Sequence, residues 1–202
     1  MASVKAFARL TPKTSALFLC DMQEKFQKTV TFFPQIVEVS RRMMLAAKCL
    51  QIPIVATEQY PKGLGHTVAE LSPRDNDIPV FEKTCFSMVV NDVETHLKEK
   101  APQVDSIILC GIEAHACVYQ TSLDLLARGF TVHVVADACS SRNMVDRMFA
   151  FRQLEQAGAI LSTAECILLA LLRDAAHPQF KELQKLIMEP SPDSGLLPMH
   201  KL

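Results

Sequence analysis

The apolar and polar positions along this chain alternate between two kinds of segment. Continuous apolar runs occur at 16–20 (ALFLC), 52–57 (IPIVAT), 106–110 (SIILC) and 131–136 (TVHVVA), with briefer ones at 80–82 and 160–161. Runs of that length without polar alternation predict strands covered on both faces, as in parallel sheets. From Ile36, the residues Val39, Met43, Ala46, Ala47 and Leu50 recur at helical spacing. Segments 92–100, 114–128 and 143–157 predict further helices. The last two are followed by Gly129 and Gly158, where a helix end favours glycine. Ser162 and Glu165 have the capping-box spacing that starts one more helix.

Strands that alternate with helices require right-handed crossovers, which lay helices on both faces of a parallel sheet. The chain therefore predicts one domain, a three-layer α/β/α fold with a doubly wound six-stranded parallel sheet in Rossmann-like order. Its core spans about residues 15–188. Residues 58–79, rich in Pro, Gly and Asp, predict a long loop that serves as a lid or an oligomer contact. Residues 189–202 are Pro-rich and predict a loosely held tail.

Charge narrows the partners. With 21 basic against 22 acidic side chains and no basic run longer than Arg41-Arg42, the chain lacks the clustered cations that nucleic acid demands. No apolar stretch reaches the ~18 residues of a membrane-spanning helix, so neither nucleic acid nor a membrane is expected as a partner. Seven scattered cysteines without a CxxC pair read as free thiols in a reducing compartment and argue against structural zinc. Lys5, Arg9 and Lys13, with no acid among the first twenty residues, resemble a mitochondrial transit segment. The expected location is the cytoplasm, with the mitochondrial matrix as the alternative.

Doubly wound sheets bind ligands outside the carboxyl ends of their strands. Asp21 follows the first strand, Lys83 the third, and the loop from Gly111 to Cys117 the fourth. Cys117 falls where a helix begins, and the positive end of that helix, with a nearby lysine, favours a thiolate. Asp21 can then act as general base for a Cys117 nucleophile. Each residue also has an ordinary role open to it: Asp as a turn residue, Lys as a solvated cation, Cys as packing.

The segments LFLCDMQEKF (17–26), VFEKTCFS (80–87), LCGIEAHACV (109–118) and VVADACSS (134–141) together resemble the isochorismatase-like cysteine hydrolase family. The resemblance spans about residues 15–170. It implies an Asp, Lys and Cys triad, which falls on Asp21, Lys83 and Cys117. It also implies a cis peptide between Ile112 and Glu113 and an oxyanion hole built from the amides of Glu113 and Cys117. The implied chemistry is acyl transfer from a small carboxamide through a Cys117 thioester.

Two branches of the family are excluded by its departures. Nicotinamidases hold a metal through an Asp-x-His motif after strand two, where this chain has Thr57-Glu58-Gln59-Tyr60, with His66 the only imidazole nearby. No metal and no cofactor are expected, and His66 reads as a loop residue. True isochorismatases lack the cysteine that is present here as Cys117. Gln23, Phe26, Tyr60 and Phe86 are candidate pocket residues, Phe26 by resemblance and Gln23 also as an organiser of the loop after strand one. Asp137 reads as a turn cap before Ser140. Cys20, Cys110 and Cys166 read as core, whereas Cys85 and Cys139 lie near strand ends, where they read as packing with an approach to the pocket as the alternative. His115 and His133 have no ligand partner at a useful spacing.

Three functions compete: a metal-independent cysteine amidohydrolase, a catalytically inactive scaffold that uses the 58–79 loop and the tail for a protein partner, and a redox thiol. The third lacks a resolving cysteine beside Cys117 in sequence. The resemblance also implies a homo-oligomer.

Overall fold

The computed structural model describes residues 9–196. Six parallel strands, β1 (Ser15–Cys20), β2 (Ile54–Gln59), β3 (Val80–Lys83), β4 (Ser106–Ile112), β5 (Thr131–Ser140) and β6 (Ile160–Ser162), form one sheet in the order β3-β2-β1-β4-β5-β6. The order reverses between β1 and β4, which places a topological switch point there. Seven helices lie among the described residues: α1 (Phe33–Cys49), α2 (Pro61–Leu64), α3 (Asn91–Lys100), α4 (Cys117–Ala127), α5 (Met144–Gln156), α6 (Ala164–Leu172) and α7 (Phe180–Ile187).

The apolar runs are strands because both sheet faces are covered. Leu17 and Leu19 pack with Val39 and Met43 of α1, Ile167 of α6 and Leu183 of α7. Ala16, Phe18 and Cys20 pack on the opposite face with Val93 of α3, Val118 of α4 and Leu154 of α5. Every β1 residue is buried. That alternation sends Cys20 and the head of α4 to the same face.

Among the boundaries that differ from the sequence pattern, three have a clear local reason. β4 and β5 run two and four residues past their apolar cores, to Ile112 and Ser140, because their pairing resumes beyond a bulge between Leu109 and Gly111. Gly111 has φ +129°, and a Cβ there would collide with the Cys20 carbonyl oxygen, so only glycine admits this approach of β4 to β1. The α6 cap is Thr163, whose hydroxyl accepts from the Cys166 amide, rather than Ser162. Gly129 and Gly158 do end α4 and α5 with positive φ.

Two expected loose segments are held in place. Within residues 58–79, Val68 and Leu71 are buried against Met22, Ile36 and Ile112, so this stretch is packed core as well as loop. The tail is tied down as far as it is described. The Arg42 guanidinium donates to the Leu186 and Glu189 carbonyls, and the wholly buried Arg147 donates to the Ser194 carbonyl and to that of Ala136. The rest of the predicted tail, 197–202, lies outside the described residues, as does Lys5. No helix among the described residues is long and apolar enough to cross a membrane.

Candidate active site

The carboxyl ends of β1, β2 and β3 converge on Asp21. Lys83 Nζ donates to Asp21 Oδ2 at 2.6 Å, and Thr57 Oγ1 donates to Asp21 Oδ1 at 2.7 Å. Lys83 spends its other donors on Gln59 Oε1 at 2.7 Å and on the carbonyls of Phe86 and Cys85. Neither side chain of the ion pair reaches solvent. Burial by itself would depress the Lys83 ammonium. The negative charge that Cys20, Asp21 and Cys117 can carry, with the hydrogen bond to Asp21, outweighs it and holds Lys83 above its ordinary value.

Cys117 opens α4, with Ala116 as the cap residue. It is 7% exposed and lines a cleft of about 660 Å³, together with Phe26, Tyr60, Phe86, Glu113 and Arg142. Tyr60 and Phe86 are large exposed apolar side chains at this cleft. The peptide between Ile112 and Glu113 is cis. The Glu113 carbonyl accepts from the amides of Ala116 and Val118, which ties this peptide to the start of α4.

The cleft has partners that the sequence reading did not single out. The Arg142 guanidinium grips the Glu113 carboxylate, Nη2 to Oε1 at 2.8 Å and Nε to Oε2 at 3.2 Å, and the Arg142 amide donates to Oε2 at 3.0 Å. Burial pushes the Glu113 carboxyl up, and these Arg142 contacts more than reverse it, leaving it below the usual carboxylate range. His115, also on the cleft wall, pairs its Nδ1 with Ser141 Oγ at 2.9 Å. Thr57 and Gln59 carried only the signal of standing at a strand end. Arg142 carried none, because its partner lies in another loop.

Other expectations need correction. Gln23 does not line the cleft. Its amide is buried and used up by the Gln59 amide and carbonyl and the Gly65 carbonyl, so it staples the loop after β1 to the end of β2. Asp137 lies inside β5 rather than in a turn, and it accepts from the Ala164 amide at the start of α6. Cys166 is exposed, not core.

After β2, where the metal-binding branch of the family carries its motif, the donor set does not fit a metal. The Glu58 carboxylate is taken by Arg74, by His66 Nδ1 at 2.9 Å and by the amide and hydroxyl of Thr67. Burial opposes ionisation, yet these bonds pull the Glu58 carboxyl down to about 2. His66 is thus a hydrogen-bond partner of a structural carboxylate.

A buried Asp–Lys pair at the ends of β1 and β3, with a Cys at the head of α4 that opens into a cleft, defines a class, and residues 15–166 match the Isochorismatase domain. The chain belongs to the isochorismatase family. It is 55% identical over 201 residues to isochorismatase domain-containing protein 2 of Xenopus laevis, covering 100% of this chain and 97% of that relative. The solved structure of MAR1 ribonuclease from Caenorhabditis elegans is 54% identical, superposes with a TM-score of 0.88, and covers 94% of this chain and 97% of its own. The YcaC gene product of Escherichia coli, described as an octameric hydrolase of unknown specificity, is 27% identical with a TM-score of 0.78 and 98% coverage of both chains.

Proposed function

We propose that this protein is a metal-independent cysteine hydrolase that cleaves the C–N bond of a small carboxamide. The observation that carries the reading is the buried Asp21 carboxylate, bridged to Lys83 at 2.6 Å, in the same site as a Cys117 that heads a helix and opens into the cleft.

In this mechanism Asp21 takes the Cys117 proton and the thiolate attacks the carbonyl carbon. The amides of Glu113 and Cys117 hold the resulting oxyanion, and one such donor is typically worth about 3 kcal/mol in the transition state. The proton on Asp21 goes to the departing amine. Water, deprotonated by Asp21, then cleaves the thioester and restores the thiol. Lys83 holds one oxygen of Asp21 and Thr57 fixes the other. Phe26, Tyr60 and Phe86 supply apolar walls for the substrate's acyl part.

The scaffold alternative would use the 58–79 loop and the tail for a protein partner; Val68 and Leu71 of that loop are buried and the tail is held through the Glu189 and Ser194 carbonyls, which leaves less of either segment to a partner. RNA cleavage, the activity in the name of the nematode relative, calls for clustered cations. Lys83 and Arg142 are each already committed to a carboxylate. Self-association, as in the octameric E. coli relative, belongs to the same reading. Val145 and Phe149, one turn apart on α5, offer it an exposed apolar face.

The test is a panel of primary carboxamides assayed by ammonia release with wild type and Cys117→Ala. Turnover by the wild type and none by the variant, at equal thermal stability, supports the reading. Retained turnover in Cys117→Ala removes Cys117 as nucleophile.

A further inference from the structure

The sequence offers no second cysteine near Cys117, but the tertiary fold brings one to it. Cys20 ends β1 on the sheet face that α4 covers, and both cysteines belong to one buried cluster with Phe18, Val118 and Cys139. Cys117 is near enough to act directly on the Cys20 thiol. Cys20 Sγ also donates to Asp21 Oδ2 at 3.6 Å, so the carboxylate proposed as base for Cys117 is equally a base for Cys20. Space for this arrangement comes from Gly111, the partner of Cys20 in the β1–β4 register, which has no side chain to intrude.

The two sulfurs are not equivalent. Cys117 reaches the cleft, whereas Cys20 is wholly enclosed. Burial, the Cys117 contact and the Asp21 charge all push the Cys20 thiol well above its ordinary value, so at rest it is an S–H group held in reserve. A thiol on the wall of a cleft beside an enclosed, protonated second thiol is the arrangement that lets a sulfenic acid be resolved before it oxidises further.

We propose that Cys20 is the resolving thiol of Cys117 and that the pair forms a reversible disulfide when the protein meets a hydroperoxide. The Cys117 thiolate attacks the outer oxygen of the hydroperoxide. The O–O bond breaks, an alcohol or water leaves with the proton that Asp21 had taken from the Cys117 thiol, and Cys117 becomes a sulfenic acid. Asp21 then takes the Cys20 proton, and the Cys20 sulfur attacks the Cys117 sulfur. The S–O bond breaks, and the departing hydroxide recovers the proton from Asp21 as water. A dithiol returns both cysteines to thiols and becomes a disulfide itself. The product blocks Cys117 reversibly and spares it from sulfinic acid. The inference rests on the reactive Cys117 of the proposed function, but not on any amide being its substrate.

The experiment treats the full chain with hydrogen peroxide, blocks remaining thiols with iodoacetamide under denaturing conditions, and maps the peptides by mass spectrometry. Wild type is expected to lose two hydrogens and yield a Cys20–Cys117 linked peptide that a dithiol reductant releases. The other five cysteines should remain alkylated. In Cys20→Ser, and in Cys20→Ala as a second variant in case a buried hydroxyl unfolds the site, Cys117 should instead proceed to sulfinic and sulfonic acid. Equal rates of irreversible Cys117 oxidation with and without Cys20, or a bridge from Cys117 to another cysteine, overturn the proposal. A parallel iodoacetamide labelling of the untreated native protein separates the two readings. Selective Cys117 labelling without a disulfide defeats only this inference, whereas an inert Cys117 defeats it and the proposed hydrolase together.

Discussion

Lys83 Nζ and Asp21 Oδ2 stand 2.6 Å apart in a site where neither side chain touches solvent. Two opposite charges removed from water are tolerated only while each has the other, and deleting one partner of such a pair typically costs about 3–5 kcal/mol. Lys83→Ala is expected to lose that much stability, read as a fall in the urea midpoint at unchanged slope. It should also slow iodoacetamide labelling of Cys117. A loss below about 1 kcal/mol would mean that the pair is hydrated in solution.

Thr57 supplies the only other side-chain oxygen donor to that carboxylate among the described contacts. Thr57→Val leaves Asp21 Oδ1 buried and unpaired, a change that typically costs about 1–3 kcal/mol. Turnover should fall through kcat with KM little changed, because the hydroxyl holds the base and not the substrate.

Arg142 organises the cleft through Glu113. Arg142→Ala frees that carboxylate and the peptide proposed to hold the oxyanion, so kcat is expected to fall by about tenfold or more. Arg142→Lys should recover only part of the loss, since an ammonium cannot reproduce the paired guanidinium contact. The Glu113 carboxyl is depressed in the folded state, so its stabilisation is present above its unfolded value near pH ~4.3. It fades as pH falls below that. Arg142→Ala should weaken that acid dependence, which unfolding at a series of acidic pH values will read.

Gly111→Ala would drive a methyl group against the Cys20 carbonyl in a backbone conformation hostile to L side chains. Overpacking and strain together predict a loss of about 2–5 kcal/mol. The measurement is denaturant unfolding, and a near-neutral outcome would show that β4 can move away from β1.

Two buried groups set the acid limit of the fold. Glu58 is pulled down to about 2, so its stabilisation is complete above pH ~4.3 and is lost as pH falls toward 2. His133 is pushed down to about 4 by burial, so the unfolded chain takes up a proton first as pH drops from ~6.5, and stability declines until the folded form protonates. His133→Gln should flatten the decline between pH ~6.5 and 4 and leave the Glu58 limb below it. A slope unchanged by that substitution would place the protonation elsewhere.

The linear order of residues determined the layered α/β domain, the six strands and the candidate Asp21, Lys83 and Cys117. Continuous apolar runs, helical spacing and capping residues act within a few positions of one another, and strand ends follow from them. It did not determine that Gln23 staples a loop instead of walling the cleft, or that Arg142 grips Glu113. Nor could it show that Arg147 ties down the tail or that Cys20 and Cys117 share one buried cluster. Those contacts join segments that are remote along the chain, so only the sheet order and the register of β1 against β4 decide which side chains share a space. A buried polar group must find its partner in three dimensions, and the partner's identity is a property of packing, not of spacing.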